Sequence, residues 1–131
     1  MARQVALAVD LGASGGRVVS GSFDGTCLEL EELYRFENAP VLLAGELVWD
    51  IVRLWQEVVS GLRIAAGRHG NNISSIGVDT WGVDFALLAS DDSLLANPVS
   101  YRDSRTHGTL CAVEKIVSRK DIFNFTGVQF M

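Results

Sequence analysis

The chain has 131 residues, 48% of them hydrophobic, with a formal net charge of −5. That is enough apolar material for one sizeable core, and it excludes a disordered segment. Eleven scattered Lys and Arg residues form no basic stripe, so no nucleic acid partner is expected, and no run approaches the roughly 18 apolar residues of a membrane span, so no membrane partner is expected either.

Val5 to Val9 is apolar at every position, the pattern of a central strand covered on both faces. It runs straight into Asp10-Leu11-Gly12-Ala13-Ser14-Gly15-Gly16-Arg17. A strand ending in Asp projects an oxygen ligand from a rigid element, and the small residues after it let backbone N–H groups close around an anion. The block is neither a Walker loop nor a dinucleotide fingerprint, because the lysine is absent and Arg17 to Phe23 reads as another strand. It therefore predicts a hairpin. A tight turn whose Asp and Ser bond only nearby backbone is an equal reading of these eight residues alone.

Asp24-Gly25 marks a second turn and leads to a third strand. Leu28, Leu30, Tyr34 and Phe36 fall on one face of it and Glu29, Glu31 and Arg35 on a solvated other face, with only Glu32 breaking the alternation. Three consecutive antiparallel strands follow. A loop over Pro40 to Glu46 then reaches Trp49-Asp50, where Asp50 caps a helix whose apolar face is Ile51, Leu54, Trp55, Val58, Leu62 and Ala65, stopped by Gly67 and Gly70. Trp49 and Trp55 read as core of this helix. Ile73 to Asp79 is a fourth strand, again ending in a carboxylate, and the intervening helix predicts that it lies parallel to the first strand and beside it.

Phe85 to Ala89 reads as a short strand turned at Asp91-Asp92-Ser93, Val99 to Tyr101 as an extended piece after Pro98, and about Thr109 to Val117 as a second helix with Leu110, Val113, Ile116 and Val117 inward. Ile122 to Met131 is still apolar where the chain stops, which reads as a piece of a larger domain. His69 and His107 have no matching partners and read as solvated. Cys27 and Cys111 match no metal spacing and read as reduced thiols; with no secretory leader in the sequence, a cytoplasmic location is expected.

Two strands that each end in Asp, the first followed by a glycine-rich hairpin, resemble the ribonuclease-H-like α/β domain of the sugar kinase, Hsp70 and actin superfamily. The block Ser75-Ile76-Gly77-Val78-Asp79-Thr80-Trp81-Gly82-Val83-Asp84-Phe85, followed by Pro98-Val99-Ser100-Tyr101-Arg102-Asp103-Ser104-Arg105-Thr106, closely resembles the FGGY carbohydrate kinases and, within them, the L-rhamnulose kinases. With the opening block in order, the resemblance runs the length of the chain. It implies a mixed sheet of three antiparallel strands followed by parallel strands with crossover helices, and residues 1–131 as the opening part of the first of two kinase domains, the second being absent.

The resemblance also implies ATP-dependent phosphorylation of a sugar hydroxyl, with ATP and Mg2+ required. Asp10 resembles the magnesium-linked aspartate, acting largely through water. Ala13, Ser14, Gly15, Gly16 and Arg17 resemble the first phosphate loop facing ATP, although Gly15 stands where many L-rhamnulose kinases carry Ser. Trp81, Gly82 and Asp84 fall where the family contacts its sugar, a packed Trp and a turn-forming Asp being equal readings of Trp81 and Asp84 taken singly; Tyr101 falls where related kinases place an aromatic, and Arg102 and Asp103 are equally sugar contacts or a salt-bridged turn. Asp79 reads as structural, bonding Thr80 or a neighbouring loop. The family's general base comes from much later in the chain, so no catalytic residue is assigned in these 131, and the fragment alone is expected to be inactive and to self-associate through an exposed sheet edge. A non-catalytic actin-like module is the competing reading; the Trp81 to Phe85 block argues against it. An FGGY kinase for another sugar is a third.

Overall fold

A computed structural model describes residues 4–129; the apolar terminus Phe130-Met131 and the opening Met1-Ala2-Arg3 lie outside the described residues. The chain falls into two compact units, Met1–Ser100 and Tyr101–Met131.

In the first unit, β1 (Gln4–Leu11), β2 (Gly15–Phe23) and β3 (Leu28–Glu37) form the expected antiparallel meander. Strand β6 (Ile73–Thr80) lies parallel to β1 on its far side, giving the order β3-β2-β1-β6. Helix α1 (Ile51–His69) makes the crossover. Its N-cap Asp50 accepts from the Arg53 N–H at 3.0 Å, and it runs through Gly67 to end at Gly70, which takes φ 54°, a conformation open to glycine. Val5, Leu7 and Ala65 form the core, with Leu33, Leu62 and Ile73 packed against it.

The helix covers one face of the sheet. Val5, Leu7 and Val9 are buried beneath it, while Ala6 and Ala8 on the opposite face of β1 are exposed, so β1 is not covered on both faces as its unbroken apolar run suggested. α1 packs on β3, β2 and β1, leaving Ile76 and Val78 of β6 exposed. At Gly61 the helix lies close on the sheet: a Cβ there would stand 2.4 Å from Cγ2 of Val18. Trp55 is six residues away, about 120° round the helix at roughly 100° per residue, and is 65% exposed rather than core.

The break at Glu32 is a β-bulge. Val18 pairs with Tyr34 and Val19 with Glu32, which leaves Leu33 as the extra residue. The bulge exchanges the faces of β3 midway. Leu33, Tyr34 and Phe36 turn toward α1, whereas Leu28 and Leu30, expected to share that face, are exposed on the other. The acidic face is not merely solvated, since Glu31 binds Arg68 of α1 at 2.9 Å.

Between β3 and α1 the expected loop contains a hairpin, β4 (Val41–Leu43) and β5 (Glu46–Val48). Ala44 and Gly45 both have positive φ, the requirement of a two-residue type I′ turn. Val99 bridges to Val48, and Ser100 N–H donates to the Leu47 carbonyl at 2.8 Å, so the extended piece after Pro98 docks on β5. Phe85 to Ala89 forms no strand; only Leu88 bridges back to Leu94, around a turn in which Asp91 accepts from the Ser93 N–H.

The second unit holds α2 (Thr109–Glu114) and α3 (Arg119–Thr126), the latter capped by Ser118. α2 is shorter than expected, and Val113, Ile116 and Val117 are exposed, Ile116 at 85%. A unit this small has little core to receive them.

Candidate functional site

Asp10 and Asp79 end adjacent parallel strands in register, and the two loops that leave them are the glycine hairpin and Trp81 to Asp84. The Trp81 N–H donates to the Leu11 carbonyl at 3.1 Å, tying the second loop to the first. Both therefore emerge at the carboxyl ends of parallel strands, the place where open α/β sheets bind ligands.

The hairpin is shaped by close backbone contacts. Gly12 N–H donates to the Gly15 carbonyl at 2.8 Å, and a Cβ on Gly12 would sit 2.9 Å from that oxygen. On Gly16 it would meet the Phe36 ring at 2.2 Å. Asn38, which sequence reasoning missed, braces the loop from just beyond β3: its Nδ2 donates to the Gly12 carbonyl at 2.9 Å and its backbone N–H to that of Ser14 at 3.3 Å. Among the described residues, the backbone N–H groups of Ala13 and Ser14 have no acceptor. They are the donors an anion would meet.

Asp10, Arg17 and Arg35 lie in register across β1, β2 and β3 on the sheet face away from α1. Arg17 Nε donates to Asp10 Oδ2 at 2.8 Å, with both side chains well exposed. Arg35 gives two bonds to Glu32, Nε to Oε1 at 2.9 Å and Nη2 to Oε2 at 2.5 Å. The bond from Arg35 holds the Glu32 carboxyl below its ordinary range, with further help from the charges of Arg35 and Arg17. Asp10, residues 12–16, Arg17 and Arg35 line one open cavity of about 540 Å³. Asp79 departs from its expected structural bonding: its carboxylate is exposed and has no hydrogen bond or ion pair among the described residues.

In the second loop, Asp84 Oδ2 accepts from two indoles, Trp49 Nε1 at 2.6 Å and Trp81 Nε1 at 2.9 Å, and the two rings lie 4.6 Å apart, tilted at 50°. Trp49 is 1% exposed, so it is core as expected, but it also holds a candidate sugar-facing carboxylate. Val83 takes φ 72°, a strained setting for a β-branched residue of the kind stored at ligand sites. A Cβ on Gly82 would meet nothing within 4 Å, so packing does not require glycine there.

Tyr101 and Arg102 open the second unit, where Arg102 Nε donates to Tyr101 Oη at 3.1 Å and its guanidinium lies 5.3 Å from the ring centroid. Asp103 is buried and caps a short turn, accepting from the Arg105 N–H at 2.9 Å. Cys27 and Cys111 are unpaired. His107 is exposed as expected, but His69 is half buried, and its Nε2 is buried without a partner among the described residues. Among the described residues no three His, Cys, Asp or Glu side chains are grouped to hold a metal, and no helix is long and apolar enough to cross a membrane.

The mixed sheet that carries the glycine hairpin and the second loop at the carboxyl ends of β1 and β6 has the fold of sugar kinases of known structure. The chain belongs to the FGGY family of carbohydrate kinases: residues 5–131 match that family's N-terminal domain. It is 45% identical over 129 residues to the rhamnulokinase of Bacteroides thetaiotaomicron, covering 98% of this chain and 26% of that protein. Against the rhamnulokinase of Oceanobacillus iheyensis it is 43% identical over 128 residues, covering 98% and 27%. The chain thus spans about a quarter of the length of these relatives. Among solved structures, gluconate kinase of Lactobacillus acidophilus superposes with a TM-score of 0.72 at 15% identity, over 94% of this chain and 25% of that one. A ligand-bound xylulose kinase of the same organism gives 0.71 at 15%, over 92% and 24%.

Proposed function

We propose that this chain supplies the phosphate-binding and sugar-facing part of an ATP-dependent kinase that phosphorylates a hydroxyl of L-rhamnulose or a related ketose. The observation that carries the reading is the Trp81 N–H to Leu11 carbonyl bond, which sets the two loops side by side. The 45% identity to a protein named rhamnulokinase supports the choice of sugar.

Phosphoryl transfer depends on alignment and charge neutralisation more than on covalent chemistry. The Ala13 and Ser14 N–H groups and the Arg17 guanidinium are the donors for the phosphates of ATP, and Gly15 and Gly16 keep the loop open to them. Asp10, a partly exposed carboxylate with Asp79 in register beside it, is a hard-oxygen setting that fits Mg2+ held through water. Mg2+, when bound, supplies charge neutralisation on the phosphates. Trp81, Gly82 and Asp84 face the sugar: Gly82 gives close approach to backbone, Trp81 a ring face, and Asp84, oriented by two indoles, accepts from a hydroxyl. Tyr101 and Arg102, in the second unit, are taken on the family resemblance alone as further sugar contacts. A cytoplasmic location accords with the unpaired cysteines.

No residue of this chain is assigned as the base that removes the hydroxyl proton. The test is ADP release with a panel of ketoses: the chain by itself should give none above background, and the full-length protein should prefer L-rhamnulose. Turnover by the chain alone would overturn the assignment of the base elsewhere, and preference for another ketose would overturn the substrate.

A further inference from the structure

Arg17 and Arg35 stand directly opposite each other across β2 and β3, on one face, in a cavity shared with the glycine loop. Like charges in directly opposed sheet positions repel. Each guanidinium is instead held by its own carboxylate, Arg17 by Asp10 and Arg35 by Glu32. In a regular strand, residues three apart point to opposite faces, so Glu32 and Arg35 would not meet. The bulge at Leu33 brings both to the face that carries Asp10. Bulges of this kind re-aim side chains beside active sites.

We propose that Arg35 is a second guanidinium of the polyphosphate site, placed there by the Leu33 bulge and held in reserve by Glu32 until a phosphate oxygen replaces that carboxylate. The inference rests on reading the glycine hairpin as a phosphate loop. The exchange is between like interactions, since a planar fork that holds a carboxylate through two N–H donors holds a phosphate in the same way. Glu32 is thereby a positioning residue: it keeps the guanidinium extended beside the loop and competes with the incoming anion.

The experiment is calorimetric titration of the chain with tripolyphosphate, with AMP as the control that carries adenosine and lacks the outer phosphates. Arg35→Gln should weaken tripolyphosphate binding about tenfold, the scale of one lost hydrogen bond to a charged group, and Arg35→Lys should recover part of it. Glu32→Gln should tighten binding several-fold, because the competitor is gone; an Arg35 that served only the stability of β3 would not yield that gain. If Arg17→Gln weakens binding while Arg35→Gln and Glu32→Gln leave it unchanged, this inference fails and the phosphate loop stands. If the unsubstituted chain binds tripolyphosphate no better than AMP, both fail.

Discussion

Trp49 Nε1 donates to Asp84 Oδ2 at 2.6 Å, joining a buried indole just before α1 to a loop residue 35 positions later. The bond explains why a fully buried Trp stands there rather than Phe: it fills the core and presents an N–H to a carboxylate that Trp81 also binds. Trp49→Phe should lose the donor and, with the smaller ring, part of the packing. A destabilisation of about 1–3 kcal/mol is expected in urea unfolding. Combined with Asp84→Ala it should cost less than the sum of the two single changes, and strict additivity would show that the bond contributes nothing.

The two glycines singled out for ligand contact differ in what surrounds them. A methyl on Gly16 meets the Phe36 ring at 2.2 Å, so Gly16→Ala should cost about 1–3 kcal/mol through overpacking. A methyl on Gly82 meets nothing, and Gly82→Ala should stay within about 0.5 kcal/mol of the parent. Denaturant midpoints for the two variants should therefore separate clearly. In the full-length protein, Gly82→Ala should raise KM for the sugar without moving that midpoint; an unchanged KM would remove Gly82 from the substrate site.

Two groups contribute at opposite ends of the pH profile. Glu32 has its carboxyl depressed by the Arg35 bond, so its contribution is present above the ordinary carboxylate value and is lost as pH falls through the folded value. Tyr34 donates to Glu57 Oε2 at 2.6 Å, and that bond raises its hydroxyl above the ordinary value of 10.0, so this contribution is present below pH 10 and is lost as pH rises through the folded value. Glu32→Gln should flatten the acid limb of the thermal-stability profile and Tyr34→Phe the alkaline limb. An acid limb identical to the parent's in Glu32→Gln would show that the pair is broken in solution.

Among the described residues β6 has β1 on one side only, and its Ile76 and Val78 are 55% and 66% exposed. An open edge with an apolar face invites pairing with a second copy. The chain should elute from size exclusion at a concentration-dependent volume, and Val78→Lys should move it to the monomer position. A monomer at all concentrations for the parent would remove the edge as an association site.

Much of the sheet was legible in the sequence because it depends on local signals. The apolar run of β1, the turn chemistry after Asp10 and Asp24, the Asp50 cap and the periodicity of α1 each specify an element from neighbouring residues. The parallel placement of β6 followed from the length of the crossover. The β4–β5 hairpin was missed because its strands are three residues each and its turn is Ala44-Gly45, without the Asn-Gly or Asp-Gly signal. Glu32 did announce the bulge by breaking the alternation of β3, but a single break does not say which residue is extra.

The candidate site divides in the same way. Asp10, the small residues after it and Arg17 are contiguous, and the turn they form, with its open backbone donors, is a property of that stretch of chain. Arg35 beside Arg17, Asn38 under the loop, Trp49 on Asp84 and Asp79 next to Asp10 are pairings between distant segments. These depend on strand register and on the one-residue slip at Leu33, which sets the face on which every later side chain of β3 stands. Register is decided by which face buries against α1, a balance struck over the whole sheet, and only the folded chain settles it.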